Sequence, residues 1–379
     1  MTREEIRNLA ISTIDTTKCL ILELSTGVGK TKISIDLVNH LCDRVWKTYQ
    51  EPTSVLIVVA KVVHKQTWLD EIKKWGGVNT DDITIECYES LHKYQNKIFD
   101  VVILDEAHHL SDAKKDILKS IKIGEALIGL SATLKKDLKE YLKYNYNAKF
   151  ISCDIKEAIN SNILPSPKVY LIPMELDDTL NNYKSKKYGK EVITTQKGYY
   201  DNLSSLIEWF KEKYFKTNNS NTKNLWLSLA GKRLKWLSEQ KEDYVFRILQ
   251  YLKDSRTLTF CSSIEQTEKL GLYNITSKNK NSTYYLNKFN NGRIHHITAC
   301  SILNEGVNLY NCRVGIFCSI NSSEIITKQR LGRILRHNSP IVIIPYFKNT
   351  REEELVDKMI ESYNKESIKI INDYKKIKL

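Results

Sequence analysis

Short apolar runs alternate with segments of helical periodicity through the first part of this 379-residue chain. Continuous apolar runs are typical of parallel strands covered on both faces, and an apolar residue every three or four positions is typical of amphipathic helices. The pattern therefore predicts an α/β domain over residues 1–175, with a parallel sheet between two layers of helices. Its predicted strands cover 20–24, 55–60, 83–87, 101–104, 126–130 and 148–152.

The same alternation returns further along and predicts a second α/β domain over residues 243–350. It begins with a predicted helix near 243–253 and continues with apolar runs at 257–261, 294–299, 313–318 and 341–346. Pro165 and Pro167 predict an extended linker at the end of the first domain. The last residues, 351–379, have helical spacing and predict a C-terminal helix docked on the second domain.

Residues 176–242 fit neither domain, and they predict a helical insert. Basic and aromatic residues are interleaved there, from 184–190 as far as Trp236. Such a mixture suits nucleic acid, because aromatic rings stack on bases and Lys or Arg contacts phosphates. Aromatic residues also build the cores of small helical units. We assign most of these rings to such a core and predict nucleic-acid contact for some of the lysines.

A glycine-rich loop lies between the first apolar run and the first helical segment. It reads Ser25-Thr26-Gly27-Val28-Gly29-Lys30-Thr31. Between a strand and a helix, such glycines let successive backbone N–H groups face a phosphate chain. The Lys30 ammonium suits the β- and γ-phosphates, and the Thr31 hydroxyl suits Mg²⁺. We predict a phosphate-binding loop, although Leu24 stands where the full pattern has a glycine.

Two carboxylates, Asp105 and Glu106, directly follow the apolar run 101–104. Ligands of open α/β sheets bind at the carboxyl ends of strands. There Asp105 can hold Mg²⁺ through its water shell, and Glu106 can polarise an attacking water. An acidic turn at the end of a strand is common by itself. Downstream of a phosphate loop, it predicts a site that hydrolyses a nucleotide.

Two further blocks carry side chains suited to the same chemistry. Ser131-Ala132-Thr133 follows the run 126–130 with two hydroxyl groups. Gln329-Arg330-Leu331-Gly332-Arg333-Ile334-Leu335-Arg336 is strongly basic. In a helix, Arg333 and Arg336 would share one face, and a planar guanidinium can donate two hydrogen bonds to a phosphate. Taken alone, the basic block would be typical of a solvated helix face.

Four blocks, taken in their order along the chain, resemble motifs I, II, III and VI of the superfamily 2 helicases and translocases. They are the glycine loop, Asp105-Glu106-Ala107-His108, Ser131-Ala132-Thr133 and the arginine-rich block. Weaker blocks look like motif Ia (55–60), the Thr-Tyr-x-Ser-Leu block (87–91), motif IV (257–263) and motif V (302–309). The chain is more similar to the DEAH-containing branch of restriction-subunit-like and phage UvsW-like proteins than to DEAD-box RNA helicases.

The resemblance implies two tandem RecA-like domains that bind ATP between them, with Mg²⁺ held by Thr31 and Asp105. The residues it implies in catalysis are Lys30, Asp105, Glu106, Gln329, Arg333 and Arg336. Gly306 joins the glycine loop in binding ATP. Residues that couple the nucleotide state to movement are His108, Ser131, Thr133 and Arg330. Contacts to nucleic acid fall on Lys61, Tyr88, Ser90 and Ser262.

We therefore predict an ATP-dependent DNA helicase or duplex DNA translocase that uses ATP and Mg²⁺. Two alternatives stay open, an RNA helicase and the motor subunit of a larger complex that does not separate strands. An incomplete adenine-reading motif, and Gln329 where DEAD-box proteins have His, favour DNA over RNA. A phosphate-loop kinase or GTPase is disfavoured, since neither explains a second domain with paired arginines.

Composition supports a polyanionic partner and a cytoplasmic location. The net charge is +13, which suits nucleic acid, although an AT-rich genome also enriches a protein in lysine. No apolar run approaches about 18 residues, which excludes a membrane partner, and the charged N-terminus is unlike a secretory signal. The eight cysteines form no C-x-x-C pair, so we expect no zinc site and a reducing compartment. We reject His295 and His296 as metal ligands, because neighbours on a strand face opposite ways.

Overall fold

The computed structural model describes residues 1–77, 82–187, 190–300, 309–361 and 363–379. It divides into two compact units. The first unit contains Met1–Pro165 together with Leu331–Leu335, and the second contains most of the chain from Ser166 onward. Each unit is built on its own parallel sheet.

The first unit alternates strands and helices as its apolar pattern predicts. Its elements are α1 (Arg3–Ile14), β1 (Cys19–Leu24), α2 (Lys30–Tyr49), β2 (Val55–Val59), α3 (Val62–Trp75), β3 (Ile83–Cys87), β4 (Ile98–Leu104), α4 (Asp112–Ser120), β5 (Lys122–Ser131), α5 (Lys136–Tyr146), β6 (Lys149–Cys153) and α6 (Ile155–Asn160). Short 3₁₀ helices cover Tyr88–Tyr94 and Ala107–His109. The six strands pair in the order β3-β2-β4-β5-β1-β6, and every pairing is parallel.

The order of the strands in this sheet determines which loops lie next to one another. β5 pairs with β1 on one side and with β4 on the other. All five residues of β2 and the last four of β4 are buried, as expected for strands covered by helices on both faces. Because the strands are parallel, the segments that follow β1, β5 and β4 leave the sheet side by side at one edge.

The second unit is built on a seven-stranded parallel sheet in the order β11-β12-β10-β13-β14-β7-β15. Its elements are β7 (Lys168–Met174), β8 (Tyr183–Lys187), β9 (Lys190–Thr194), α7 (Gln196–Thr217), α8 (Ser220–Glu239), α9 (Glu242–Tyr251), β10 (Thr257–Phe260), α10 (Ile264–Leu270), β11 (Asn274–Ile275), α11 (Ser282–Asn290), β12 (His296–Ala299), β13 (Val314–Phe317), α12 (Glu324–Ile334), β14 (Ile341–Phe347), α13 (Arg351–Ile360) and β15 (Ile368–Ile370). Two parallel α/β units therefore confirm the predicted fold class.

The structure moves the predicted boundary between the domains from residue 175 to Pro165. β7 follows that proline and pairs along its whole length with β14, so Lys168–Met174 belongs to the second sheet. The segment before it is not extended throughout. Asn162 has a left-handed φ of 55°, and the backbone N–H of Ile163 donates to Ala158 O, which makes a turn at the end of α6.

The insert is a helical hairpin, α7 and α8, preceded by an antiparallel strand pair, β8 and β9, that the sequence did not predict. Tyr188 and Gly189 of the basic segment lie outside the described residues. Tyr199, Trp236 and Tyr183 pack together, with ring centroids 4.8 Å apart for Tyr199–Trp236 and 5.8 Å for Tyr183–Trp236. Most aromatic residues near the base of the hairpin thus form a small core, as expected.

The C-terminal segment is not one helix over 351–379. α13 ends at Ile360, and β15 adds a strand to the sheet beside β7. The segment does dock on the second unit, since Lys378 N donates to Tyr170 Oη and Lys378 O accepts from it. No helix among the described residues is long and apolar enough to cross a membrane. Within the same residues no cluster of three or more His, Cys, Asp or Glu could hold a metal ion.

Candidate ATP-binding site

The phosphate loop has the backbone conformation that its glycines allow. Gly27 and Gly29 have φ of 95° and 113°, values that side chains rarely permit. A Cβ on Gly29 would meet no heavy atom within 4 Å, so the space beside it is open. Gly29 is also the N-terminal cap of the 20-residue helix α2, with no side-chain cap. The space beside Gly29, at the N-terminus of α2, is therefore open, and a helix N-terminus suits a phosphate group.

The side chains of the loop divide between structure and chemistry. Ser25 is buried, and both its N–H and its hydroxyl donate to Cys153 O at the end of β6, at 2.9 and 3.1 Å. Ser25 therefore fixes the loop to the sheet. The buried Thr26 hydroxyl forms no hydrogen bond with any described residue. Lys30 Nζ donates to Leu24 O at 2.8 Å, which holds the ammonium back over its own loop.

Asp105 and Glu106 leave the sheet at the carboxyl end of β4. The Asp105 N–H donates to Val58 O at 2.8 Å, which continues the pairing with β2 past the last residue of the strand. Glu106 has a left-handed φ of 48°, so the chain turns sharply between the two carboxylates. The buried Glu106 Oε2 lies 3.4 Å from His108 Nδ1 and makes no hydrogen bond within the described part of the chain.

Two donors fix the Asp105 carboxylate. Its Oδ1 accepts from the Glu106 N–H at 3.0 Å, and its Oδ2 accepts from Trp68 Nε1 at 2.9 Å. Burial raises the pKa of Asp105 to about 6, and the Glu106 charge adds to the rise. The Trp68 hydrogen bond and the Lys30 charge lower it in part. The Lys30 charge of the phosphate loop therefore acts on the carboxylate that follows β4.

The residues present suit Mg²⁺. A divalent cation of this kind takes oxygen ligands, and the site offers the Asp105 carboxylate with the Thr31 hydroxyl at the start of α2. The buried Glu106 Oε2 has no hydrogen bond within the described residues, and the neighbouring Asp105 carboxylate is buried as well, so two acidic groups adjoin in a buried site. A cation together with the N–H groups of the loop would balance that charge.

A hydrogen-bonded chain connects His108, two residues after Glu106, to the segment after β5. His108 Nδ1 lies 3.2 Å from Ser131 Oγ, and the Ser131 hydroxyl donates to Thr133 O at 2.9 Å. The Thr133 hydroxyl donates to Ala132 O at 2.7 Å. The structure thus brings together His108, Ser131 and Thr133, three of the four residues implied in coupling.

The arginine-rich block lies at the end of α12 and differs from its predicted form. Arg330 is buried, donates from Nη1 to Ser319 O at 2.9 Å, and packs over the ring of Phe260. Burial lowers the pKa of Arg330 to about 10. Gln329 and Arg333 are also buried. Because α12 ends at Ile334, Arg336 stands exposed in the following turn, so Arg333 and Arg336 do not share a helix face.

The residues predicted to contact nucleic acid differ in their exposure to solvent. Lys61 is exposed at the start of α3 and Ser90 is half-buried. Tyr88 is buried in the core of the first unit. The Ser262 hydroxyl donates to Gln266 Oε1 at 3.0 Å and so supports the start of α10. Gly306 and nearly all of the motif V block lie outside the described residues.

Three residues of this site were not predicted. Trp68 holds Asp105 as described above. Arg3 Nη2 donates to Gly27 O at 3.3 Å and to Ile163 O at 3.0 Å, and so connects α1 to the phosphate loop. Glu23 accepts from the Leu134 N–H at 3.0 Å, next to the Ser131–Thr133 segment. A capping box between Thr2 and Glu5 signals the helix that carries Arg3, but no pattern signals the contacts themselves.

Comparisons with known proteins agree with the geometry. Residues 2–136 match the family model "Type III restriction enzyme, res subunit", and residues 240–338 match "Helicase conserved C-terminal domain". The DNA 3'-5' translocase XPB2 of Sulfurisphaera tokodaii is 24% identical over 353 residues, covering 83% of this chain and 74% of XPB2. A candidate ATP-dependent helicase of Saccharomyces cerevisiae, IRC3, is 24% identical over 363 residues, covering 85% of this chain but 47% of IRC3.

A solved structure shows the same fold. The helicase domain of Hef from Pyrococcus furiosus superposes with a TM-score of 0.55 at 14% identity, covering 93% of this chain and 97% of that domain. This coverage includes both α/β units, so the two chains share the RecA-like architecture. From the fold, the phosphate-loop site and these matches together, we conclude that this chain belongs to superfamily 2 of the helicases and translocases and is an ATP-hydrolysing enzyme.

Proposed function

We propose that this chain hydrolyses ATP at the edge of its first sheet and uses the energy to move along or remodel DNA. The observation that carries the proposal is the meeting of the phosphate loop after β1 with Asp105 and Glu106 after β4, on either side of β5. A single edge of one sheet thereby supplies a phosphate cradle, a cation site and an acidic residue for water.

In this proposal each residue of the first unit has a defined role. Lys30 leaves Leu24 O and binds the β- and γ-phosphates, while the loop N–H groups bind the phosphate chain. Glu106 orients the attacking water through the carboxylate oxygen that has no hydrogen bond. Mg²⁺, when held by Thr31 and Asp105, supplies positive charge that neutralises the phosphate oxygens. His108, Ser131 and Thr133 pass the state of this site to the segment that follows β5.

The arginine-rich block is proposed to assist hydrolysis. An arginine that meets the developing charge on the transferred phosphoryl group is worth roughly 10³–10⁵ in rate. We assign this role to Arg333, with Arg336 and Gln329 as further catalytic residues. Arg330 is best explained as a support, since it bonds to Ser319 and packs on Phe260. Gly306 is retained as a proposed ATP contact.

DNA is the proposed partner for three reasons. XPB2 is named as a DNA translocase, the net charge of +13 suits a phosphate backbone, and the hairpin α7–α8 carries exposed rings beside lysines. Lys61 and Ser90 stay proposed contacts in the first unit. A cytoplasmic location also stays a prediction of the sequence.

The direct test compares steady-state ATP hydrolysis with single-stranded DNA, duplex DNA, branched DNA and RNA at equal nucleotide concentrations. We expect DNA to stimulate hydrolysis and Glu106→Gln to abolish it while ATP still binds. Stimulation by RNA alone would favour the RNA helicase alternative. Equal rates with and without every nucleic acid would favour an ATP-dependent switch.

A further inference from the structure

Trp68 is placed where its indole N–H serves the site and not the core. The residue lies in the second turn of α3, and its side chain is 2% exposed. Its Nε1 is 2.9 Å from Asp105 Oδ2, although the two residues are 37 positions apart in the chain. A ring that only filled space in this core would need no donor, and Phe would serve as well. The direction of the N–H is therefore the informative feature.

The contact completes a pair of donors around one carboxylate. Asp105 Oδ1 already accepts from the Glu106 N–H, and Trp68 provides the donor for Oδ2. An indole offers one N–H and no acceptor, and a buried ring has few other positions available. One donor on each oxygen fixes both the plane and the direction of the carboxylate. The remaining lone pairs of the carboxylate then have a defined direction for a cation.

We propose that Trp68 is a positioning residue that presets the Asp105 carboxylate for the Mg²⁺ of Mg·ATP. This inference rests on the proposed ATPase function. Loss of a residue that hydrogen-bonds to a metal ligand and orients it commonly lowers metal affinity or activity by about 10–100-fold. The same contact makes Trp68 a reporter, because its ring touches the group whose environment changes when the cation binds.

The experiment replaces the N–H and keeps an aromatic ring. Trp68→Phe is compared with Trp75→Phe, a matched control on the same helix, whose Nε1 donates to Glu71 Oε2 at 2.7 Å and whose side chain is 42% exposed. The probe is Mn²⁺ with a non-hydrolysable ATP analogue, and its affinity is measured by electron paramagnetic resonance. We expect Trp68→Phe to weaken Mn²⁺ binding about tenfold. Trp75→Phe should bind Mn²⁺ as the wild type does.

The Mg²⁺ dependence of hydrolysis gives a second measurement. Trp68→Phe should require about tenfold more Mg²⁺ for half-maximal rate. At saturating Mg²⁺ its rate should return towards that of the wild type, a recovery that a merely misfolded protein would not show. If Trp68→Phe unfolds, benzothienylalanine at position 68 keeps the size of indole without its N–H and serves in its place.

The variant Asp105→Asn distinguishes a failure of the positioning role of Trp68 from a failure of the proposed ATPase function. Wild-type Mn²⁺ affinity in Trp68→Phe, together with lost affinity in Asp105→Asn, would overturn the positioning role and leave the proposed function standing. Wild-type Mn²⁺ binding and hydrolysis in Asp105→Asn would overturn the proposed function itself. An equal loss in Trp68→Phe and Trp75→Phe would assign the effect to α3 as a whole and also overturn the inference.

Discussion

Asp105 illustrates how a residue proposed for catalysis can lower the stability of the folded chain. Its carboxylate is held by two hydrogen bonds, yet burial and the neighbouring Glu106 charge raise its pKa from 3.8 to about 6. An ionised carboxylate in such a position costs free energy until a cation arrives. Active sites commonly store strain of this kind because the ligand relieves it.

The expected consequence is that Asp105→Asn stabilises the nucleotide-free protein while abolishing hydrolysis. Well above pH 6 the variant removes a buried charge, and we expect its free energy of unfolding to rise by about 1–2 kcal/mol. Between pH 6 and 3.8, Asp105 of the native wild type binds a proton, whereas the same carboxyl group of the unfolded chain is ionised. The free energy of unfolding of the wild type therefore rises as the pH falls through that window. The advantage of the variant should therefore vanish below pH 3.8.

Urea unfolding across this pH range provides the measurement, with ATP hydrolysis measured in parallel. A variant less stable than the wild type at every pH would contradict a destabilising ionised Asp105. Retained hydrolysis would contradict its catalytic role.

The residues of this site differ in how well sequence alone predicts them. Lys30 is predictable as a candidate because it follows a glycine loop between a strand and a helix, and Asp105 and Glu106 because they directly follow a buried strand. Trp68 and Arg3 are not, since their partners lie 37 and 24 positions away and any spacing would serve. For Tyr88, the motif does not reveal that its ring is buried in the core.

At the scale of elements, a buried ion pair connects the start of α9, the start of α13 and strand β14. Lys241 Nζ and Glu352 Oε1 are 2.6 Å apart, and neither side chain is exposed. Lys241 Nζ also donates to Pro345 O at 3.1 Å, and the Phe347 N–H donates to Glu352 Oε2 at 3.2 Å. Burial raises the pKa of Glu352, although Lys241 opposes the rise.

Removal of one partner should therefore be costly. Glu352→Ala leaves a buried ammonium without its counterion, and we expect a loss of about 3–5 kcal/mol in the free energy of unfolding. The double variant Lys241→Met/Glu352→Leu removes both charges at similar volume and should recover most of that loss. Denaturant unfolding of the three proteins checks the prediction. A single variant as stable as the wild type would show that the pair is dispensable.

The far end of the α7–α8 hairpin is where we expect the insert to contact DNA. Trp209 and Phe215 are 53% and 71% exposed, and Lys213 Nζ lies 4.9 Å from the centroid of the Trp209 ring. Stacking of a base on an aromatic ring is worth about 1–3 kcal/mol. Trp209→Ala should therefore weaken binding of single-stranded DNA about tenfold.

Fluorescence anisotropy with labelled DNA measures this affinity. Trp46→Ala is the matched control, because Trp46 is 59% exposed on α2 of the first unit. An equal affinity in both variants would argue that the tip of the hairpin does not touch DNA.

Elements with strong periodicity were predicted well, and short elements at the sheet edge were not. Strands β1 to β6 all overlap the predicted strands, although β3 and β6 are only partly buried. The three-residue β15 is too short to give a pattern, so the tail was predicted as one helix. β8 is rich in lysine and pairs outside the main sheets, which is why apolar patterning missed it.

For the whole molecule, the alternation of strands and helices predicts two parallel α/β units, and the structure confirms both. The alternation does not predict that β7 belongs to the second sheet, because its partner strand β14 lies more than 160 positions away in the chain. The order of strands around β5 likewise depends on tertiary contacts. That order is what turns separate motifs into one site, so the site needs the fold as well as the motifs.

The central claim is that ATP hydrolysis by this chain drives movement along DNA. Displacement of a third strand from a DNA triplex tests it most directly, because a protein that travels along the duplex must strip the third strand ahead of it. We expect displacement with ATP and Mg²⁺, and none with Glu106→Gln or a non-hydrolysable analogue. DNA-stimulated hydrolysis with the triplex left intact would contradict the claim and leave an ATPase that does not move.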